Sequence, residues 1–149
     1  MKNNMFRKVL YIISVLSVCI AVVGGVSIAW LTKLYYLNFT NLEVPRFMST
    51  FLFITAIPFI LLLIEVMKLS KNLLNDTYLN KETLKGLKRI SVYSLVEFFV
   101  YLIGIIFMYR NLAFVVVTIA TLMIFIITSV IRELIVKGIE LKEENDLTI

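Results

Sequence analysis

Four long apolar stretches alternate with polar gaps along this chain. Val9 to Thr32 carries no charge and lies between Lys8 and Lys33. Phe47 to Ile64 is closed by Glu65, Ile90 to Tyr109 is interrupted only by Glu97, and Asn111 to Ile131 is closed by Arg132. A helix needs about 20 apolar residues to cross a bilayer core, and tilt absorbs the differences among these runs. In lipid, each backbone N–H and C=O must be satisfied within its own segment. The runs lack the two-residue alternation of a barrel strand, so helices are expected. The pattern predicts a single domain over residues 1–149, an all-α integral membrane four-helix bundle. Its spans are expected at about 9–32, 47–67, 90–109 and 112–131, read against that length requirement.

The gaps are unequal. The first runs from Lys33 to Arg46, and the last is a tight turn around Arg110-Asn111, so the loops on that face are short. The middle gap, 68–89, is larger. It is expected to prolong the second span to a break at Asn75-Asp76 and to restart as a helix capped by Asn80. Beyond the fourth span, Ile131, Leu134, Ile135, Gly138 and Leu141 recur at helical spacing. Glu133 and Lys137 form an i,i+4 pair of favourable polarity. A tail helix over 132–146 follows from this pattern.

Charge then sets the threading. Twelve of the fifteen Lys and Arg residues fall on the N-terminus, the middle gap and the tail, leaving Lys33, Arg46 and Arg110 for the other two gaps. The positive-inside rule places both termini and the middle loop in the cytoplasm, in a multi-pass protein of the cell membrane. Trp30, Tyr35, Tyr36 and Tyr109 are expected at the outer interface. The net charge of +5 reads as orientation and contact with lipid headgroups, so no direct nucleic-acid binding is expected. The first apolar run exceeds the roughly 7–15 residues of a signal-peptide core and reads as a span.

Three features within the spans invite interpretation. Ser17, Ala21, Gly25 and Ala29 place a small residue at every fourth position of the first span, a helix-packing seam. It serves either another span of the same molecule or a second copy in a homo-oligomer. Glu97 lies about 10 Å beyond Ile90, where an ionised side chain is costly, so it should face the bundle. Ser94, Tyr101, Gly104 and Met108 share its helical face. Glu97 forms either a proton, cation or ligand site, with Ser94 and Tyr101 beside it, or a polar knot with Ser14, Ser17, Thr128 or Tyr101. Pro58 lacks the N–H of its turn, and a helix kink is expected there.

Absences narrow the chemistry. The chain has no histidine and a single cysteine, Cys19, which excludes Ser-His triads, His metal sites and thiolate cages. Neither a Walker-type nor a Rossmann glycine motif is present. The sequence argues against an enzyme, and no metal or cofactor is expected.

The string from Glu140 to Ile149, Ala56-Ile57-Pro58-Phe59 in the second span, and the stretch from Asn80 to Ile90 entering the third carry a resemblance. Together they resemble the bacterial membrane-protein family called domain of unknown function 2975. The family often has a Phe-Ser pair before the loop helix, where this chain has Tyr78-Leu79-Asn80, so no role is transferred to that site. The resemblance implies a small four-span protein with no established activity or site residues. It also implies a gene often placed beside a small helix-turn-helix regulator of the Xre type. The expected role is a non-enzymatic regulatory or protective partner, acting on a cytoplasmic protein through loop and tail. The surface expected to do so comprises Glu140, Glu143, Glu144 and Asp146 of the tail with Lys81, Lys85, Lys88 and Arg89 of the loop. One alternative is an immunity protein against a membrane-active peptide, and another is a small oligomeric transporter subunit using Glu97.

Overall fold

The computed structural model describes residues 2–40, 43–45, 47–107 and 111–147. Five α-helices account for most of them: α1 (Lys2–Val26), α2 (Ile28–Tyr35), α3 (Met48–Leu74), α4 (Lys81–Phe107) and α5 (Leu112–Leu147). Among the described residues, four helical stretches are long and apolar enough to cross a membrane, namely Asn4–Val26, Met48–Leu74, Lys81–Phe107 and Leu112–Asn145.

The first expected span is not a single helix. Ser27 adopts φ −88° and ψ 3° between α1 and α2. Its N–H still donates to Val23 O at 3.0 Å, and the Leu31 N–H donates to Ser27 O at 2.9 Å, so the chain bends without breaking. Gly24 and Gly25 stand just before the bend, and their low helix propensity makes this the weak point of the run. After α2 the chain continues as a π-helical turn, Tyr36–Thr40. Much of the expected 33–46 loop is therefore helical. Phe47 caps α3 in the left-handed region at φ 67° without a side-chain cap bond. An L-residue pays about 1–2 kcal/mol for that conformation.

The remaining boundaries follow local chemistry. α3 stays helical through Pro58 and stops where Asp76 turns into the left-handed region at φ 55°. Asn80 Oδ1 accepts the Thr83 N–H at 2.7 Å and caps α4, satisfying one of the four N–H groups that a helix start leaves open. Asn111 Oδ1 does the same for α5 through the Ala113 N–H at 3.0 Å. With 36 residues α5 is the longest element. At 1.5 Å per residue it reaches about 54 Å, well beyond a hydrocarbon core of about 30 Å. The fourth span and the expected tail helix are thus one rod.

Polarity is inverted relative to a water-soluble domain. Buried positions include Ser14, Thr55, Ser91, Ser94, Thr118 and Thr128, whereas Ile20, Val23, Phe53, Ile103, Ile119 and Ile127 are exposed. Ser, Thr and Glu gain by turning inward only when the surroundings are less polar than the protein interior. The hydroxyls are satisfied locally: Thr118 donates to Phe114 O at 2.8 Å and Thr55 to Leu52 O at 3.0 Å. Two pairs tie helices together, Ser91 with Thr128 at 3.0 Å between α4 and α5, and Ser70 to Ser14 at 3.0 Å between α3 and α1.

The helices pack in the order α1, α3, α4, α5. Among the described residues, the backbone of α1 packs along α3 and comes near neither α4 nor α5. The bundle is therefore a curled row with a gap between its first and last members, and that gap creates the site.

Candidate functional site

The four spans enclose a cleft of about 500 Å³. Ala21, Gly24 and Gly25 of α1 form one wall, and Val116, Ala120 and Thr121 of α5 form the other. Thr55 and Phe59 of α3 and Glu97 and Tyr101 of α4 make the floor. Small residues keep the α1 wall thin. A Cβ on Gly25 would meet Ile60 Cδ1 at 3.3 Å and Ala56 Cβ at 3.8 Å, so this glycine lets α1 sit close on α3. A Cβ on Gly24 would meet nothing within 4 Å.

Glu97 is the polar centre of the floor. It is 2% exposed, and its Oε1 has no hydrogen-bond partner. The backbone N–H of Phe59, the residue after Pro58, is the group that approaches its carboxyl from α3. Ser14 and Thr128, considered from the sequence as knot partners, are engaged with Ser70 and Ser91, and Ser17 donates to its own helix at Ile13 O. Ser94 is fully buried beside Glu97 on α4, but its hydroxyl donates to Ser91 O at 3.0 Å, and it is not part of the cleft lining. Tyr101 does line the cleft, with its hydroxyl 3.2 Å from Thr55 Oγ1.

One end of the cleft is plugged by aromatic rings. Phe51 stacks on Phe114 with centroids 5.3 Å apart, and Tyr101 meets both rings edge-on at 5.5 and 5.3 Å. Gly104 makes room for the plug, because a Cβ there would lie 2.8 Å from Phe51 Cζ. Tyr36 belongs here too, buried with Met48 and Phe114. Its ring, at the first residue of the π-helical turn, therefore packs within the protein. Trp30 and Tyr35 are exposed, while Tyr109 and Met108 lie outside the described residues.

The opposite end is ionic. Buried Glu65 accepts from Lys68 Nζ at 2.8 Å and from Arg89 at 2.9 Å. Arg89 is thereby committed to joining α4 to α3, while Lys81, Lys85 and Lys88 are exposed at the start of α4. Arg7 of α1 pairs with Asp76 in the α3–α4 turn. On α5, a Cβ at Gly138 would come within 3.1 Å of Leu79, and Lys142 shares a depression with residues 76–80. The start of α1, the middle loop and the tail therefore meet at one end of the molecule. Glu140, Glu143 and Glu144 are exposed on this tail, and the Asp146 side chain lies outside the described residues. Of the small-residue seam, Ser17, Ala21 and Gly25 face α3 or the cleft, whereas Ala29, past the Ser27 bend, is exposed.

Thr55, Thr121 and Gly24 are the site residues that the sequence did not single out. Thr55 had a usable signal, a hydroxyl one turn before Pro58 in an otherwise apolar span. Thr121 and Gly24 had none, because only the tertiary gap gives them a role.

Inverted polarity, four membrane-length helices and a polar centre enclosed between them define a multi-pass helical membrane protein. Residues 28–149 match the family model described as "Protein of unknown function (DUF2975)", and the chain belongs to that family. The match starts at the first residue of α2, so α1, one wall of the cleft, precedes it. No curated protein and no solved structure matches the chain.

Proposed function

We infer that the protein is a non-enzymatic membrane partner protein. It sits in the cell membrane with both termini in the cytoplasm and acts on a cytoplasmic protein through its loop and tail. The carrying observation is the convergence of residues 76–80 with Gly138 and Lys142 into one surface. A rod as long as α5 projects its end well past the hydrocarbon, where a soluble partner meets it. Its exposed acids Glu140 and Glu143 lie on the same end as the exposed bases Lys81, Lys85 and Lys88. A surface of mixed sign favours one orientation of docking and rejects like-charged partners. The orientation rests on the Lys and Arg asymmetry. Family membership makes a small Xre-type helix-turn-helix regulator the first candidate partner.

The test is co-purification of the full chain with a small Xre-type helix-turn-helix regulator from the same organism. Deleting residues 140–149 should abolish capture, while membrane insertion is unchanged. Capture that survives both this deletion and reversal of Lys81, Lys85 and Lys88 to Glu contradicts the assignment.

The cleft favours a second reading, a small oligomeric transporter subunit using Glu97. Proton-coupled flux in liposomes that is unchanged by Glu97→Gln would exclude that role for Glu97.

A further inference from the structure

We propose that the cleft between α1 and α5 is a binding site for hydrophobic monovalent cations, with Glu97 as the counter-charge. Such binding is independent of whether the molecule moves its ligand or recruits a partner.

Size comes first. A cavity of 500 Å³ falls within the roughly 300–1,000 Å³ usual for small-molecule sites. Its walls are almost wholly apolar, with Val116 and Ala120 facing Ala21 and Gly24. Such walls take up a hydrocarbon or aryl body. The gap between α1 and α5 faces the surrounding lipid, so a ligand already dissolved in the bilayer enters without crossing water.

Charge sets the class. Glu97 is 98% buried by its 2% exposure, lines the cleft, and carries an oxygen with no partner. Among the described residues no Lys or Arg lines the cavity, so none of them supplies the opposing charge. Among the described residues the titratable groups of the lining are Glu97 and Tyr101, both from α4, while α1, α3 and α5 contribute none. Burying a carboxylate without a counter-ion is expensive, and a cation whose own hydration is weak repays that cost at the least penalty. Strongly hydrated small ions lose more on entry than they recover, whereas a charge spread over a hydrophobic shell has little water to lose. The plug of Phe51, Tyr101 and Phe114 adds ring surface at one end, which favours a cation over a neutral guest.

The experiment compares two ions of nearly one shape and opposite sign, tetraphenylphosphonium and tetraphenylborate. Each is titrated onto the full chain in neutral-lipid nanodiscs, with protein-free discs subtracted. Saturable binding of the phosphonium at one site per chain is expected, with affinity at least tenfold above that for the borate. Glu97→Gln should reduce phosphonium affinity at least tenfold and remove the discrimination between the two ions. Gly24→Leu should block both wild-type binding and residual Glu97→Gln binding, because it fills the cavity from a position with open space around it. Both variants are compared with wild type by their elution as single species, and Gly24→Leu keeps the cavity testable should Glu97→Gln misfold. Absence of saturable phosphonium binding, equal affinity for both ions, or binding indifferent to Gly24→Leu overturns the proposal.

Discussion

Glu97 and Gly104 occupy one face of α4 and make opposite demands on it. The carboxyl of Glu97 is held in apolar surroundings with one oxygen unpartnered, at a cost of about 1–3 kcal/mol for such a group. Glu97→Leu is therefore expected to raise the unliganded protein's stability by up to about that amount, measured as the midpoint of denaturant unfolding in detergent. A structural knot would give the opposite sign, because other side chains would lose their partner. Gly104 is the converse case. A methyl there collides with a ring already held by Tyr101 and Phe114, so Gly104→Ala should destabilise by about 1–3 kcal/mol in the same assay. Inward placement of Glu97 was legible in the sequence, since a lone acid in an apolar run has nowhere else to go. Its lack of a partner was not. Ser14, Ser17 and Thr128 stood at plausible heights, and only packing shows that each bonds elsewhere.

The helices themselves were read with most success where apolar length or an Asn cap decided the matter. Asn80 starts α4 as its side chain dictates, and the helical apolar spacing past Ile131 yields the single rod of α5, whereas the capping role of Asn111 was hidden in what read as a tight turn. The first span was less legible, because the departure of Ser27 from helical dihedrals leaves no mark in hydropathy. Inter-helix pairing was also hidden. Lys68 was the obvious neighbour of Glu65, being one turn away, but Arg89 reaches it from another helix. Arg89→Met removes a link between α3 and α4 and should cost about 1–2 kcal/mol, whereas Lys68→Met, which breaks only an i,i+3 pair, should cost less than about 1 kcal/mol. The difference is read from paired unfolding curves. Gly24 and Gly25 provide a second element-scale contrast. Gly25→Leu should loosen α1 from α3 by about 1–3 kcal/mol, while Gly24→Leu, whose Cβ enters open space and which gains helix propensity, should not destabilise and should gain up to about 1 kcal/mol.

At the scale of the whole molecule, the open row of helices unites two ends with different characters. One end is closed by aromatic packing, and the other gathers the start of α1, the middle loop and the tail around the Arg7–Asp76 and Glu65–Arg89 pairs. An even number of crossings was apparent from four apolar runs, and the convergence of loop and tail agrees with it. The gap between α1 and α5 was not apparent, because periodicity on one helix does not state which neighbour it meets. A bundle of this kind is defined by its threading, and threading is directly measurable. Single cysteines at Asn4, Asn38 and Glu143, in a Cys19→Ala background, would be treated with a membrane-impermeant maleimide. Labelling of Asn38→Cys alone in intact cells, with Asn4→Cys and Glu143→Cys labelled only after permeabilisation, is the expected result. Labelling of Glu143→Cys in intact cells, or of the two terminal positions from opposite sides, would contradict a four-fold crossing with both ends inside.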